Sequence, residues 1–210
     1  MAEGNINGVK LEKIPIHFQL GDNLIDGAVI RPMSFQNFAD YINEAQNMKE
    51  AKTFDARLKR VRLAKQVDYY INGTKMPIST LDVLKQPISV ARQLLDKIDD
   101  NEGPSGKVIR DGDGIDKAIV YELGTPIPTG KDKEPIRELE FHASTYGDVE
   151  DIMAAPDAIQ QTVQLIALLG KPLGTTLTAL PSWAVNLISV SDGIAISRDV
   201  LPRFLGSPTE

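Results

Sequence analysis

Apolar and polar positions alternate from Ile14 to Leu20, with Ile14, Ile16, Phe18 and Leu20 on one side, the pattern of a half-buried strand. The turn residues GDN and DG follow, Ala28 to Arg31 predicts a short return strand, and Pro32 ends it. Ser34 is a candidate N-cap for a helix in which Phe35, Phe38, Tyr41 and Ile42 recur at helical spacing. A long basic helix is predicted from Thr53 to Ile71, broken by NGTKMPIS at residues 72–79. Ser79 or Thr80 opens a short helix, and Pro87 opens another whose Val90, Leu94, Leu95 and Ile98 face inward.

The second half reads in the same order. Ile119, Tyr121 and Leu123 alternate, a loop rich in Pro, Gly and Lys spans residues 125–135, and Ile136, Leu139 and Phe141 lie on a return strand. Ile136 and Leu139 differ in parity, which predicts a bulge. Ser144 or Thr145 caps a helix reaching Met153. Ile159, Val163, Ile166 and Leu169 mark a further helix ending at Gly170. One more helix is predicted from Pro181 through Ile196, then a last short turn.

These patterns predict an α+β chain of two similar units, each a β-hairpin followed by a small helical cluster. The boundaries are residues 1–98, a linker at 99–116 with almost no large apolar side chain, and residues 117–210. Few residues are identical between the halves beyond Leu-Gly at 20–21 and 123–124, so the correspondence is one of pattern.

Composition narrows the chemistry. The chain has 210 residues, no cysteine and two histidines, which removes disulfides, thiolate metal sites and cysteine nucleophiles. No apolar run reaches the length of a membrane span, and the start lacks the long apolar core of a secretion signal, so a soluble cytoplasmic protein is expected. Net charge is −6, yet residues 49–75 hold eight bases against three acids. Arg57, Lys59, Arg60 and Arg62 form a basic patch that would suit nucleic acid, but no aromatic stacking platform accompanies it. A solvated helix face, or contact with the acidic face of another copy, is the favoured reading.

Motifs with chemistry do not hold together. RDGDGID places Asp111, Asp113 and Glu122 at calcium-loop positions, but Ile115 and Asp116 occupy places that need an oxygen ligand and a glycine. NEGPSGKV lacks the first glycine and the hydroxyl of a phosphate-binding loop. His17 and His142 sit in or beside strands without a nucleophile pattern. The neighbouring carboxylates Glu138 and Glu140 suit an exposed strand edge. No catalytic residue, metal ligand or cofactor is assigned, and a non-enzymatic protein is expected.

What remains is the apolar crowding of the second half. Leu165, Leu168, Leu169, Leu180, Trp183, Leu187 and Ile188 are the candidate partner-binding residues, for a partner's apolar helix or for self-association. Trp183 is the expected anchor, because large aromatics concentrate interface energy.

Residues 118–206 resemble a known family. The segment YELGTPIPTGKDKEPIRELEFHASTYGDVEDIM, then an apolar helix, LGKPLGTTLTALPSWAVNLISVSDGIAI and a final FLG, is similar to the small tail assembly chaperones of temperate contractile-tailed phages. The positions that carry the likeness are Leu123, Pro126, Ile127, Gly130, Ile136, Glu138, Leu139, Leu180, Trp183 and Asp192. Two features depart from the family pattern: FHAST replaces a return strand with a basic residue, and the chain is about twice the single-unit length. The resemblance implies a protein made in the host bacterial cytoplasm that covers the tape-measure protein during tail assembly. A baseplate or tail component of the virion is the alternative, and a nucleic-acid binder acting through the basic helix is a third.

Overall fold

The computed structural model describes residues 5–6, 9–49, 52–112, 118–130, 134–154 and 157–205. It is α+β with antiparallel sheets, and the chain divides into two compact units. Unit 1 holds residues 1–33 and 40–102; unit 2 holds residues 34–39 and 103–210.

Unit 1 begins with the two-residue strands β1 (Asn5–Ile6) and β2 (Val9–Lys10), paired with each other. The predicted first hairpin forms in two pieces: β3 (Lys13–Ile14) pairs with β6 (Gly27–Ile30), while β4 (Phe18–Leu20) pairs with β5 (Asn23–Ile25) across the Gly-Asp turn. Two helices follow, α1 (Phe35–Asn47) and α2 (Phe54–Lys65). Thr53 caps α2 by accepting from the Ala56 amide.

The long basic helix stops earlier than the sequence predicts. Residues 67–71, Val-Asp-Tyr-Tyr-Ile, form strand β7 (Val67–Ile71), because β-branched and aromatic side chains favour a pleated, half-buried surface. Asn72 and Gly73, both at positive φ (48° and 79°), make the two-residue turn into β8 (Thr74–Met76). The resulting sheet runs β3-β6-β7-β8. Tyr69 is fully buried, packs edge-on against Phe18 at 6.3 Å and donates its hydroxyl to the Leu63 carbonyl at 3.1 Å. Ser79 and Asp82 form a capping box on α3 (Thr80–Val83). Pro87 precedes α4 (Ile88–Asp100), whose Val90, Leu94 and Ile98 are buried one turn apart.

Part of the predicted linker is regular structure. Asp99 and Asp100 close α4, and Lys107–Asp111 is β9, an edge strand of the unit 2 sheet. Its low apolar content reflects an exposed edge, not a tether. Residues 113–116 lie outside the described residues.

In unit 2, β10 (Ala118–Ile127) and β11 (Ile136–His142) form the expected hairpin. The irregularity falls on the outgoing strand, between Glu122 and Ile127, which lets Ile136 and Leu139 both face the core. Thr145 and Asp148 form a capping box on α5 (Tyr146–Met153), and Asp157 caps α6 (Ala158–Leu169). Gly170–Pro172 then forms β12 beside β11, giving the order β12-β11-β10-β9. The single helix expected after Pro181 is two: α7 (Ser182–Val185) and α8 (Val190–Asp199), the latter opened by a Ser189 cap that accepts from the Asp192 amide. The chain closes with α9 (Pro202–Leu205).

Candidate partner-binding surfaces

The apolar residues singled out in the sequence divide sharply. Leu165, Leu169, Leu180 and Ile188 are buried in the unit 2 core, and Leu187 packs partly buried against it. Leu165, Leu180 and Ile188 hold the unit together and are not available to a partner, which corrects their assignment as surface; Leu169, though buried, also lines a surface groove. Only Leu168 (44% exposed) and Trp183 (42% exposed) present themselves to solvent. The sequence could not separate the two groups, because leucines packed inside and leucines on the outer helix face occur in the same apolar run.

Side chains that the apolar run did not flag build a surface feature in unit 2. Tyr146, Val149 and Met153 recur along α5, and Phe204 and Leu205 come from α9. With Ser144 and Leu169 they line an open groove of about 210 Å³. Tyr146 stands at 74% exposure, and Met153 and Leu205 are also exposed. The signal was present in the sequence as i, i+3, i+7 spacing from Tyr146. Asp148, Glu150 and Asp151 lie on the same helix, with Asp148 bound by the Ser144 and Thr145 hydroxyls at its start. In unit 1, Leu81, Leu84 and Ile88, on and between α3 and α4, are exposed apolar side chains close in sequence.

One buried carboxylate ties the start of α8 to β10 and to the segment before β9. Asp192 is completely buried at the third position of α8. Its Oδ1 accepts from the amides of Gly106 (2.7 Å) and Gly124 (2.9 Å) and from the Tyr121 hydroxyl (3.2 Å). Its Oδ2 accepts from the Thr125 amide (3.2 Å) and the Ser189 hydroxyl (2.8 Å). Five donors and the N-terminal end of a helix stabilise the charge without a cationic partner. Gly106 and Gly124 let the two loops come this close: a β-carbon at Gly106 would lie 1.8 Å from the Glu122 carbonyl oxygen, and one at Gly124 would lie 2.1 Å from that of Pro104. Burial, and then the charge of Asp192, push the Tyr121 hydroxyl pKa well above its ordinary value. Both oxygens of this carboxylate are engaged with the scaffold, so its role is to pin β10 and the segment before β9 to α8.

Much of the basic patch is engaged within unit 1, and two of its bases meet acids. Arg57 donates to the Met48 carbonyl at 2.6 Å, and Lys59 pairs with Asp55 at 2.8 Å. Arg60 is buried. Arg62 reaches Asp99 at 3.1 Å and also bonds Glu102, tying α2 to the end of α4. Only Lys59 of the four keeps an exposed side chain. The sequence registered the excess of bases but not the acids that the fold brings to them.

The remaining candidates are also placed. Glu140 accepts from Arg110 (2.6 Å) and contacts His142 (2.9 Å), an ion-paired strand surface. Asp111 pairs with Arg203, and Glu122 lies in β10 against Lys107, so the calcium-loop residues are pulled apart; Asp113 lies outside the described residues. The Gly106 amide of the phosphate-loop-like stretch is spent on Asp192. Among the described residues no cluster of His, Asp or Glu is arranged to hold a metal, and no helix is long and apolar enough to cross a membrane.

A scan against protein-family models found none that matches this chain, and searches of curated proteins and of solved structures found no match. The functional reading therefore rests on the surfaces just described.

Proposed function

We propose that this chain is a non-enzymatic phage tail assembly protein, a chaperone that covers apolar helical stripes of the tape-measure protein in the host bacterial cytoplasm. The observation that carries the reading is the open apolar groove between α5 and α9, with Met153 and Leu205 exposed along it. A groove of this kind receives an amphipathic helix through residues spaced one turn apart. Leu168 and Trp183 add exposed apolar area in the same unit. The resemblance of residues 118–206 to tail assembly chaperones supports the same class of partner.

The matching positions also make structural sense for a scaffold. Leu123, Ile127, Ile136, Leu139 and Leu180 are buried, and Asp192 is the clasp beneath them. That leaves the exposed groove free to vary with its target.

The test is binding of helical segments of the tape-measure protein that the chain is proposed to cover, measured by calorimetry. Micromolar binding that is lost in Met153→Asp and Leu205→Asp, and kept in Lys59→Glu, is expected. Absence of binding to every segment would overturn the reading. A role as a structural tail or baseplate component is favoured by one feature, the exposed edge strand β9, which offers unpaired backbone for strand addition. Such a component would be retained in finished particles.

A further inference from the structure

The chain has five methionines and no cysteine, so its only sulfur chemistry is that of the thioether. A thioether carries no proton to lose, and its oxidation is governed by how freely a peroxide reaches the sulfur. Met33, Met48 and Met76 are partly covered, Met76 against the unit 1 core. Met153 differs from them: it ends α5 and stands 45% exposed. Met1 lies outside the described residues.

Met153 lines the groove of unit 2 together with Tyr146 and Val149 of its own helix, Leu169 of α6, and Phe204 and Leu205 of α9. Among the lining residues only Ser144 and Tyr146 have a polar side chain, and Ser144 already donates its hydroxyl to Asp148 at 2.8 Å. A polar oxygen placed at residue 153 is therefore hydrated while the groove is open. Once an apolar ligand covers it, that water is lost without replacement. The backbone here is held separately: Gln161 Nε2 donates to the Met153 carbonyl at 3.1 Å, and the Ala154 amide donates to the Glu150 carbonyl at 3.0 Å. Oxidation of the side chain leaves both bonds in place, so it acts on what the groove binds and not on the fold.

We propose that Met153 is an oxidation site for hydrogen peroxide or an alkyl hydroperoxide, and that its sulfoxide closes the groove to apolar ligands. The sulfur lone pair attacks the outer peroxide oxygen, and the S–O bond forms as the O–O bond breaks. The transferred oxygen gives its proton to the departing oxygen. The products are the sulfoxide and water, or the sulfoxide and an alcohol from an alkyl hydroperoxide; sulfur is oxidised and the peroxide reduced. The reaction turns a flexible apolar side chain polar, and a thiol-dependent sulfoxide reductase restores it. Control of partner binding rests on the reading of the groove as a helix-binding surface; the oxidation itself does not.

The experiment treats the full chain with hydrogen peroxide and follows each methionine by peptide mass spectrometry. The groove is read in parallel by fluorescence of the apolar dye anilinonaphthalene sulfonate, with Leu205→Asp marking the part of the signal that the groove supplies. Met153 is expected to oxidise first, with Met33, Met48 and Met76 following. Dye affinity at the groove is expected to fall about 10-fold or more, as for a covered polar group without a partner, while the far-ultraviolet circular dichroism stays the same. Met153→Leu is expected to keep the dye and to be blind to peroxide. Met153 reacting no faster than the other three overturns the inference. So does unchanged dye affinity in the Met153 sulfoxide, or a peroxide response that persists in Met153→Leu. A groove that binds the dye and loses it on oxidation, yet takes up no tape-measure helix before treatment, overturns the proposed function and leaves the oxidation site standing.

Discussion

The ring of Phe35 lies against the backbone of Gly193: a β-carbon at Gly193 would sit 2.1 Å from the ring's Cγ. Any side chain at residue 193 must displace a buried aromatic. Gly193→Ala is accordingly expected to cost about 1–3 kcal/mol, the range for overpacking a core site. Pairing it with Phe35→Leu makes room, so the double variant should lose less than the two single losses added together. A double-mutant cycle by urea denaturation checks this, and strict additivity would contradict the contact.

Asp192 has five donors and no cation. Asp192→Asn keeps the shape but removes the charge, and its amide nitrogen turns toward groups that are themselves donors. A loss of about 3 kcal/mol is expected, in the upper range for hydrogen bonds to a buried charge. Faster amide exchange at Gly106, Gly124 and Thr125 should accompany it. Unchanged exchange there would mean that the clasp does not hold these loops.

The basic helix separates structural from solvated charge. Arg62→Ala breaks the ties to Asp99 and Glu102, from a side chain that is mostly buried, and should cost about 1–2 kcal/mol. Lys59→Glu, at an exposed pair, should stay within about 0.5 kcal/mol. Neither should alter affinity for DNA at low salt. A steep salt-dependent loss of DNA binding in Lys59→Glu would restore the nucleic-acid reading.

Alkaline pH should unfold the protein through its buried tyrosines. Burial raises the Tyr69 hydroxyl from 10.0 to about 12, and Tyr121 is raised further by burial and by Asp192. A raised pKa means the folded state holds the proton more tightly. The stability this gives is complete below pH 10 and is lost as pH rises toward and through the folded values. At the acid end the signs reverse. Thr145 bonds hold the Asp148 pKa down, and Ser79 bonds that of Asp82, so the stability they supply is present above the ordinary value of 3.8 and fades as pH falls below it. Denaturation midpoints measured across pH, with Tyr69→Phe flattening the alkaline limb, check both directions.

Local signals carried the hairpins and caps. Period-two alternation placed β10 and β11, and Ser79, Thr145 and Pro87 mark helix starts where the sequence puts them. Two features were hidden for physical reasons. The switch from helix to strand at Gln66 depends on the Tyr69 ring finding Phe18, a contact far along the chain. Strand β12 has three residues, too few for any period to appear, and exists because β11 offers a partner. The site was less legible than the fold. Leu165 and Leu168 are alike in type and three residues apart, yet one is core and the other surface. Nothing local tells that Tyr146 is exposed while Phe35, at the matching helix start, is covered.

The proposed cover for the tape-measure protein is tested by quantitative mass spectrometry of purified tail particles beside the soluble fraction of the host that produces them. The account predicts the chain in the soluble fraction, co-purifying with the tape-measure protein, and its absence from finished particles. Stoichiometric amounts in the particles would contradict the chaperone reading and make the chain a component of the tail itself.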